Sequence, residues 1–309
     1  MNSVAKVLNT IIFVLLTLSM SSCSDVKELE GSLVFSSNRK ERFDSFILKC
    51  SKVNLLKENS SNPVWSPDGE SIACKKMGEK NDKNFGFYLL DVCGKVQAFV
   101  DTNNVMGNLK WVGDNIFYAM SEKNEEVLSI TPNILWSYNV IEKKHKKILE
   151  IDENEWISYY DISKDGQKIV YDVSIPKNMK FKGVFLFDKN KNTTVKIEKI
   201  LKNVWYPNGK YILCVTHPEK DKHEFGTYWG HFTKYNIETG EKEYLARVPF
   251  LNLSGLKISR DGKYVYYAGP NSIYMSPIGD LSKRERITEP VRTRSGWSQD
   301  RNPDWYQKK

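Results

Sequence analysis

Trp65-Ser66-Pro67-Asp68-Gly69 is a short stretch that recurs, in weaker form, along the chain. The copies begin at Trp111, Ile162, Trp205, Ile258 and Trp305. Their leading residues are 43 to 53 residues apart, and a period of about 40 to 50 residues built from strand-like segments is typical of β-propellers. The repeat therefore predicts a propeller in which each period forms one four-stranded blade.

Each copy marks a turn between two predicted strands. Pro67 presets φ for a β-turn, and Gly69 takes positive φ without a Cβ clash. The runs after the turns are rich in Ile, Val, Tyr and Phe, as strands are; they cover residues 71–75, 115–119, 168–173, 210–215 and 263–268. After the leader, no segment shows a helical period of apolar residues, so we expect few helices.

The two ends of the chain are predicted to share one blade. Residues 33–35 align with the second strands of the other periods, so their blade lacks an innermost strand. Residues 302–305 (Asn-Pro-Asp-Trp) mirror residues 62–65 (Asn-Pro-Val-Trp) and would supply it. We therefore predict an all-β, six-bladed β-propeller, closed by pairing the N-terminal strands with the C-terminal strand, which leaves no large open sheet edge.

The motif Asn-Pro-x-Trp-Ser-Pro-Asp-Gly at residues 62–69 and the stretch Phe-Ser-Ser-Asn-Arg at residues 35–39 resemble the WD-repeat-like units of the TolB propeller domain. The resemblance covers roughly residues 31–306 and is weakest in the second period, where Gly-Asp-Asn at 113–115 replaces Pro-Asp-Gly. It implies a TolB-like propeller over residues 31–309. TolB has an additional amino-terminal domain that the resemblance does not include, so no partner of TolB is implied.

Residues 1–22 read as a lipoprotein signal peptide, with basic Lys6 followed by a short apolar core at residues 7–20. That core is shorter than the roughly 20 residues that span a bilayer. Met-Ser-Ser-Cys at 20–23 resembles a bacterial lipobox, which implies lipidation of Cys23; an ordinary leader or an uncleaved anchor is the alternative. With residues 23–30 as a tether, we expect an outer-membrane lipoprotein of the cell envelope, facing the periplasm or the surface and contacting the membrane through its lipid anchor only.

The formal net charge of +8 falls to +7 when Lys6 leaves with the leader. This charge is carried mainly by lysines spread along the sequence, without the concentrated stripe of a nucleic-acid-binding protein, so nucleic acid is not expected as a partner. Cys50, Cys74, Cys93 and Cys214 lie within or at the ends of predicted strands. Buried free thiols are favoured over disulfides or zinc ligands, although the disulfide state stays open.

Arginine is absent between residues 43 and 246. The propeller closure would bring the arginines near the two ends together, because the loop after the second strand and the return to the innermost strand lie on the same face. Guanidinium groups bind carboxylates and phosphates bidentately, so we predict a site for an acidic ligand such as a uronate-containing glycan or an acidic protein segment. The alternative is that these arginines pair with Asp and Glu on blade surfaces. The candidate residues are Arg39, Arg42, Arg292, Arg294, Arg301 and Trp297.

Three of the four histidines, His217, His223 and His231, form a second candidate site. A loop and the adjoining strand could present imidazoles to Mn²⁺ or Zn²⁺. Oligogalacturonate lyase, a propeller of similar repeat type, uses histidines and a metal, so that resemblance implies a metal-dependent polysaccharide lyase acting on oligouronides as an alternative. Its histidines come from different blades, whereas these belong to one period, and exposed or packing histidines are the other interpretation.

The tryptophans fall into two groups. Those on predicted innermost strands are expected to pack between blades: Trp65, Trp111, Trp205 and Trp305. Those that fit the repeat less well are candidates for ligand stacking: Trp136, Trp156, Trp229 and Trp297. The sequence has no Gly-x-Ser-x-Gly motif for a nucleophile. It thus favours a monomeric, non-catalytic propeller without a cofactor, which binds or scaffolds a glycan or an envelope protein.

Overall fold

The computed structural model of the protein describes residues 31–306 except 51, 79–84, 103–105, 122–131, 179, 198–199, 217–228, 250–253, 270, 295 and 298. Six four-stranded antiparallel sheets and one two-stranded hairpin account for the strands of this part of the chain. Its helical content is a single 3-10 turn, Pro176–Asn178, and no helix within it has the length and apolarity to cross a membrane. The predicted all-β, six-bladed architecture is confirmed.

The blades are numbered from the one that contains both chain ends. Blade 1 holds β1 (Ser32–Ser37), β2 (Asp44–Lys49) and β3 (Lys52–Lys57). Blade 2 holds β4 (Ser60–Trp65), β5 (Ser71–Lys76), β6 (Gly86–Asp91) and β7 (Val96–Asp101). Blade 3 holds β8 (Met106–Val112), β9 (Asn115–Met120), β10 (Ile134–Asn139) and β11 (Lys144–Glu150). Blade 4 holds β12 (Trp156–Ile162), β13 (Lys168–Ile175), β14 (Lys180–Asp188) and β15 (Thr193–Ile197).

The remaining strands complete the ring. Blade 5 holds β16 (Leu201–Trp205), β17 (Tyr211–Thr216), β18 (Trp229–Asn236) and β19 (Lys242–Pro249). Blade 6 holds β20 (Ser254–Ile258), β21 (Tyr264–Ala268), β22 (Ile273–Pro277) and β23 (Glu285–Arg286). The hairpin of β24 (Arg292–Thr293) and β25 (Gly296–Trp297) then leads to β26 (Asp300–Tyr306), the innermost strand of blade 1.

Blade 1 is closed by the two ends of the chain. β26 pairs antiparallel with β1, and the register places Trp305 opposite Leu33 and Asp300 opposite Ser37. Trp305 also stacks on Tyr266 of blade 6, with ring centroids 5.4 Å apart. The blade thus has the strand order β26-β1-β2-β3, as the mirrored Asn-Pro-x-Trp segments predicted.

The hydrophobic core is divided into six clusters, one at each interface between neighbouring blades. Trp65, Trp205 and Trp305 are buried in the clusters between blades 1 and 2, 4 and 5, and 6 and 1. Trp111 is half-buried against the cluster between blades 2 and 3. The prediction that these four tryptophans pack between blades is confirmed.

The ring has two faces, which are built differently. The connections from first to second and from third to fourth strand open on one side, the turn face; the other connections open on the opposite side, the loop face. On the turn face of blades 2, 4 and 6, a serine hydroxyl donates to the aspartate two residues later at 2.5 to 2.6 Å. This bond is the largest cause that lowers the pKa of Asp68 and Asp165. The Asp-Gly turns are therefore a repeated structural unit.

The four cysteines that the structure describes are free, as predicted, but only two of them are buried. Burial raises the pKa of Cys74 and of Cys214 to about 12. Cys50 and Cys93 are exposed, so the prediction of buried thiols is wrong for them. The reason is their position, since each lies in a turn between the third and fourth strand of its blade, on the turn face.

Candidate functional site

Two connections meet on the loop face of blade 1, and we call residues 38–43 and 291–301 the seam surface. The N–H of Arg294 donates to Glu41 Oε1 at 2.7 Å, and the N–H of Gln299 donates to Asn38 Oδ1 at 2.6 Å. These bonds join segments more than 250 residues apart in sequence. The ring closure thus brings the two arginine-bearing segments together.

Arg39 belongs to the framework and not to an exposed ligand surface. Its guanidinium donates to both carboxylate oxygens of Asp300, at 3.0 and 2.9 Å, and lies 5.2 and 5.1 Å from the ring centroids of Phe35 and Phe46. The side chain is 12% exposed and that of Asp300 is fully buried. A guanidinium whose donors bind a buried carboxylate has few left for a ligand. The structure therefore corrects the prediction that Arg39 is a ligand-binding residue.

Arg42 and Arg301 stand at the edges of the seam surface. Arg42 is about half exposed, 49%, and pairs with Glu58 at 3.0 Å and with buried Asp44 at 3.5 Å. The guanidinium of Arg301 lies 5.3 Å from the centroid of the Phe43 ring. Stacking on an aromatic ring orders a guanidinium and leaves its in-plane donors accessible. Arg42 is therefore engaged by two carboxylates of the protein, whereas Arg301 keeps donors for a ligand.

Arg292 and Arg294 are the exposed centre of the seam surface. Neither guanidinium has an ion pair or hydrogen bond with a residue that the structure describes. Trp297 pairs with Arg292 across the β24–β25 hairpin; the structure describes the backbone of Trp297 but not its side chain. Both guanidiniums thus lie exposed on the loop face of blade 1, without a partner among the described residues.

The predicted histidine site is described only in part. His217 and His223 lie outside the described residues. His231 lies in β18, half-buried, with its ring 5.9 Å from that of Tyr244, and its buried Nδ1 has no hydrogen-bond partner among the described residues. Within the described part of the chain, no three His, Cys, Asp or Glu side chains are grouped to hold a metal ion.

The other stacking candidates occupy different surroundings. Trp136 packs against the core cluster between blades 2 and 3, so its ring is a packing element and the prediction of a stacking platform is wrong there. Trp156 begins β12 on the loop face and is half-buried. Of Trp229, as of Trp297, the structure describes the backbone and not the side chain.

The axis of the ring carries a network that the sequence reading missed. The residue before the apolar start of each motif lies on the innermost strand of its blade. In chain order from blade 2 these residues are Val64, Lys110, Asp161, Val204, Lys257 and Asp304. The order Val-Lys-Asp is repeated twice. This alternation is visible in the sequence once the motif copies are aligned.

Each Lys-Asp pair bridges three consecutive blades. Lys110 Nζ lies 2.8 Å from Asp161 Oδ1 in a largely buried ion pair. Asp161 Oδ2 accepts the N–H of Trp205 at 2.8 Å. The second copy links blades 6, 1 and 2. There Lys257 Nζ lies 3.4 Å from Asp304 Oδ1, and Asp304 Oδ2 accepts the N–H of Trp65 at 2.7 Å. The two bridges cover all six blades.

Tyr159 fills the axis between these bridges. Its ring centroid lies 5.4 and 5.8 Å from the ammonium groups of Lys110 and Lys202, and its hydroxyl donates to the carbonyl of Leu256 at 3.3 Å. Beside it, burial raises the pKa of Asp172 to about 7, against the opposing effect of Lys202. The axis is thus occupied by side chains that are paired with one another.

No protein-family model matches the chain, and no curated protein matches it either. Solved structures do. TolB from Acinetobacter baumannii superposes with a TM-score of 0.64 at 16% identity, over 90% of this chain and 67% of that one. The chain has the TolB-like six-bladed propeller fold.

Two further structures share this TolB-like fold. A putative TolB from Agrobacterium tumefaciens matches 90% of this chain and 98% of its own, with 12% identity and a TM-score of 0.55. An oligogalacturonate lyase in complex with manganese matches 84% of this chain and 74% of its own, with 13% identity and a TM-score of 0.58. At such identities the likeness is one of fold, and a fold of this kind hosts unrelated functions.

Proposed function

We propose that the protein is a non-catalytic binding module of the bacterial cell envelope that holds an acidic ligand on the seam surface. The ligand is a uronate-containing glycan or an acidic segment of an envelope protein. The observation that carries the proposal is the pair of exposed guanidiniums of Arg292 and Arg294, which lack a partner among the described residues on a hairpin tied to Glu41.

The chemistry of the site suits carboxylates. A guanidinium presents two parallel N–H donors at the spacing of carboxylate oxygens, and such charge-assisted bonds are stronger than neutral ones. Arg301, stacked on Phe43, belongs to the same surface. Because Arg39 is paired with Asp300, and Arg42 with Asp44 and Glu58, the ligand charge would be met by Arg292, Arg294 and Arg301.

We place the protein in the envelope as a lipoprotein held through Cys23. The support is the signal-like leader at residues 1–22 and the lipobox-like Met-Ser-Ser-Cys. Mass spectrometry of the membrane-extracted protein should find an acylated N-terminal Cys23. An unmodified N-terminus at another residue would contradict the anchor without affecting the ligand site.

A glycan array followed by titration with the best acidic oligosaccharide tests the ligand site. The variant Arg292→Glu/Arg294→Glu should bind at least about tenfold more weakly, because two favourable charge contacts become repulsive. The control Lys177→Glu/Lys180→Glu makes the same charge change at exposed loop-face positions of blade 4 and should bind within about twofold of the parent. Equal binding by the arginine variant would overturn the proposal.

A metal-dependent lyase is the second candidate, favoured by the fold likeness to an oligogalacturonate lyase in complex with manganese. Cleavage of oligouronides by a lyase leaves an unsaturated product that absorbs ultraviolet light, whereas binding alone does not. Incubation of the protein with oligogalacturonate, with and without Mn²⁺, distinguishes the two. A metal-dependent rise in absorbance would replace the binding module by the lyase.

A further inference from the structure

The turn face of blades 3 and 4 carries a concentration of lysines. Lys143 and Lys144 follow the tip of the β10–β11 turn and Lys146 lies next along β11, all exposed. Lys164 in the first turn of blade 4 and Lys191 in its β14–β15 turn are also exposed. None of these five forms an ion pair with a residue that the structure describes. Their charges are therefore open to an external partner.

Lysines of the two blades form one surface. Lys189 of blade 4 has a lowered pKa, first because of burial and second because of the positive charge of Lys146 in blade 3. Its ammonium donates to the carbonyl of Gly166 at 3.0 Å, which places it beside the turn of Lys164. We call these six residues the lysine surface: Lys143, Lys144, Lys146, Lys164, Lys189 and Lys191.

Two of the nearby carboxylates are engaged within their own turns, while exposed Asp114 and Glu142 add negative charge beside them. Asp165 accepts the Ser163 hydroxyl and the N–H of Gln167, and Asp188 accepts the backbone N–H groups of its turn. Asp165 also attracts the ammonium group of Lys189. The six lysines outnumber the four carboxylates of these turns, Asp114, Glu142, Asp165 and Asp188. The surface keeps an excess of positive charge.

An apolar side chain projects from the middle of this surface. Ile141, at the tip of the β10–β11 turn, is 73% exposed, the highest value among the large apolar residues that the structure describes. A single exposed isoleucine is common on protein surfaces. An apolar tip among lysines is instead the pattern of interfacial binding, in which cations contact anionic headgroups and the apolar group enters the lipid boundary.

The start of the described chain lies on the same face. Ser32, the first residue of β1, pairs with Tyr306, and the Tyr306 hydroxyl donates to the carbonyl of Asp68 in the first turn of blade 2 at 2.6 Å. The residues before β1 therefore join the propeller at the turn face. The seam surface lies on the opposite face.

We propose that the turn face of blades 3 and 4 docks on an anionic lipid bilayer through the lysine surface and Ile141. In this orientation the seam surface faces away from the membrane and is open to its ligand. The docking rests on lysines and an isoleucine outside the seam surface, so it stands or fails independently of the proposed ligand.

Lysine labelling of the full chain on vesicles tests this docking, because any binding through the leader is common to all variants. Acetylation rates at each lysine are measured by mass spectrometry on phosphatidylcholine vesicles with and without about 30% phosphatidylglycerol. On anionic vesicles Lys143, Lys144 and Lys164 should be labelled about threefold more slowly than on neutral ones, while Lys177 and Lys180 on the loop face keep their rates. High salt should remove the protection by screening.

Two variants and a control sharpen the result. In the variant Lys143→Glu/Lys144→Glu/Lys146→Glu, the unaltered Lys164 should no longer be protected from acetylation on anionic vesicles. In Ile141→Ser, the protection of Lys164 should be reduced. The control Lys40→Glu/Lys177→Glu/Lys180→Glu makes the same change in net charge on the loop face. In this control, the protection of Lys164 should be unchanged.

Equal labelling on both kinds of vesicle, or protection of Lys164 that survives the triple reversal on the lysine surface, would overturn the docking. Protection by soluble polyglutamate without protection by vesicles would also overturn it, and would assign the surface to an acidic polymer.

Discussion

The two faces of the propeller differ in how far they follow the repeat. On the turn face, the connections from first to second strand are at most five residues long, and three of them share the same Ser-Asp hydrogen bond. On the loop face, the connections from second to third strand reach 13 residues, between β9 and β10. The repeat therefore describes the framework, and the candidate ligand residues lie where the repeat is lost, as is usual for binding loops on a rigid scaffold.

Blade 1 is assembled from the two chain ends, and side-chain contacts stabilise its C-terminal strand, β26, on both faces of the ring. On the loop face Arg39 pairs with buried Asp300. On the turn face the guanidinium of Arg260, from blade 6, lies 4.7 Å from the Tyr306 ring centroid and donates to the carbonyl of Ser66 in blade 2 at 2.7 Å. Arg39 thus ties the segment after β1 to β26, and Arg260 ties β26 to blades 6 and 2.

The largest expected effect is on the ion pair between Arg39 and Asp300 on the loop face. Arg39→Met keeps much of the aliphatic bulk but leaves Asp300 buried without its cation, and should lower the free energy of unfolding by about 3 to 5 kcal/mol. The control variant Arg286→Met removes an exposed pair with Glu289 and should cost at most about 1 kcal/mol. Urea denaturation measures both, and similar losses would contradict the assignment of Arg39 to the framework.

The axis between the faces gives a pH-dependent effect. The pKa of Asp172 is raised to about 7, so the folded protein holds a proton there that the unfolded chain releases near pH 4. Stability contributed by this residue therefore falls as pH rises from about 4 to 7. Relative to the parent protein, the free energy of unfolding of Asp172→Asn should rise across this pH window. The rise should reach up to about 4 kcal/mol, at about 1.4 kcal/mol per pKa unit.

The control for this prediction is Asp165→Asn. The pKa of Asp165 is lowered, so its contribution to stability is present above the pKa of the unfolded chain and is lost only as pH falls below it. The difference between this variant and the parent should be constant from pH 5 to 8. Unfolding curves at several pH values check both variants, and a constant difference for Asp172→Asn would contradict the raised pKa.

Alanine substitutions at two turn-face glycines distinguish the cost of a steric clash from the cost of backbone strain. Gly69 and Gly209 have similar positive φ values, 76° and 68°. A Cβ on Gly69 would lie 2.0 Å from the Tyr306 ring, whereas one on Gly209 would meet nothing within 4 Å. Gly209→Ala should cost about 1 kcal/mol from the backbone alone, and Gly69→Ala about 2 to 3 kcal/mol because the ring must also move. Thermal unfolding of both variants measures the difference.

The smallest expected effect is on the seam surface. Arg292→Glu/Arg294→Glu changes two exposed side chains without partners among the described residues and should alter the free energy of unfolding by less than about 0.5 kcal/mol. A loss above 2 kcal/mol in denaturation would mean that these arginines serve the framework. Their effect on binding would then need another explanation.

The sequence predicted the blades and their closure because both depend on local, repeated signals. Asn62-Pro63 and Asn302-Pro303 are copies of one motif, so the place of β26 in blade 1 follows from the sequence alone. The pairing of Arg39 with Asp300 spans 261 residues and has no periodic signal. The sequence alone therefore does not distinguish an arginine that neutralises a buried carboxylate from one in an open site.

Exposure was the other property that the sequence did not determine. The positions of Cys50 and Cys93 at predicted strand ends indicate buried thiols. One or two residues, however, decide whether a side chain lies in a strand or a turn. For a different reason, the sequence does not predict the lysine surface. Lys146 and Lys189 belong to separate blades, and only the fold brings them together.

Hydrogen–deuterium exchange with and without bound oligogalacturonate tests the central claim, that the loop face at blade 1 binds the ligand and the turn face is framework. We expect slower exchange in residues 38–43 and 291–294, with the turns at Asp68, Asp165 and Asp261 unchanged. Slower exchange confined to the turn face, or none at the seam surface despite saturating ligand, would contradict it.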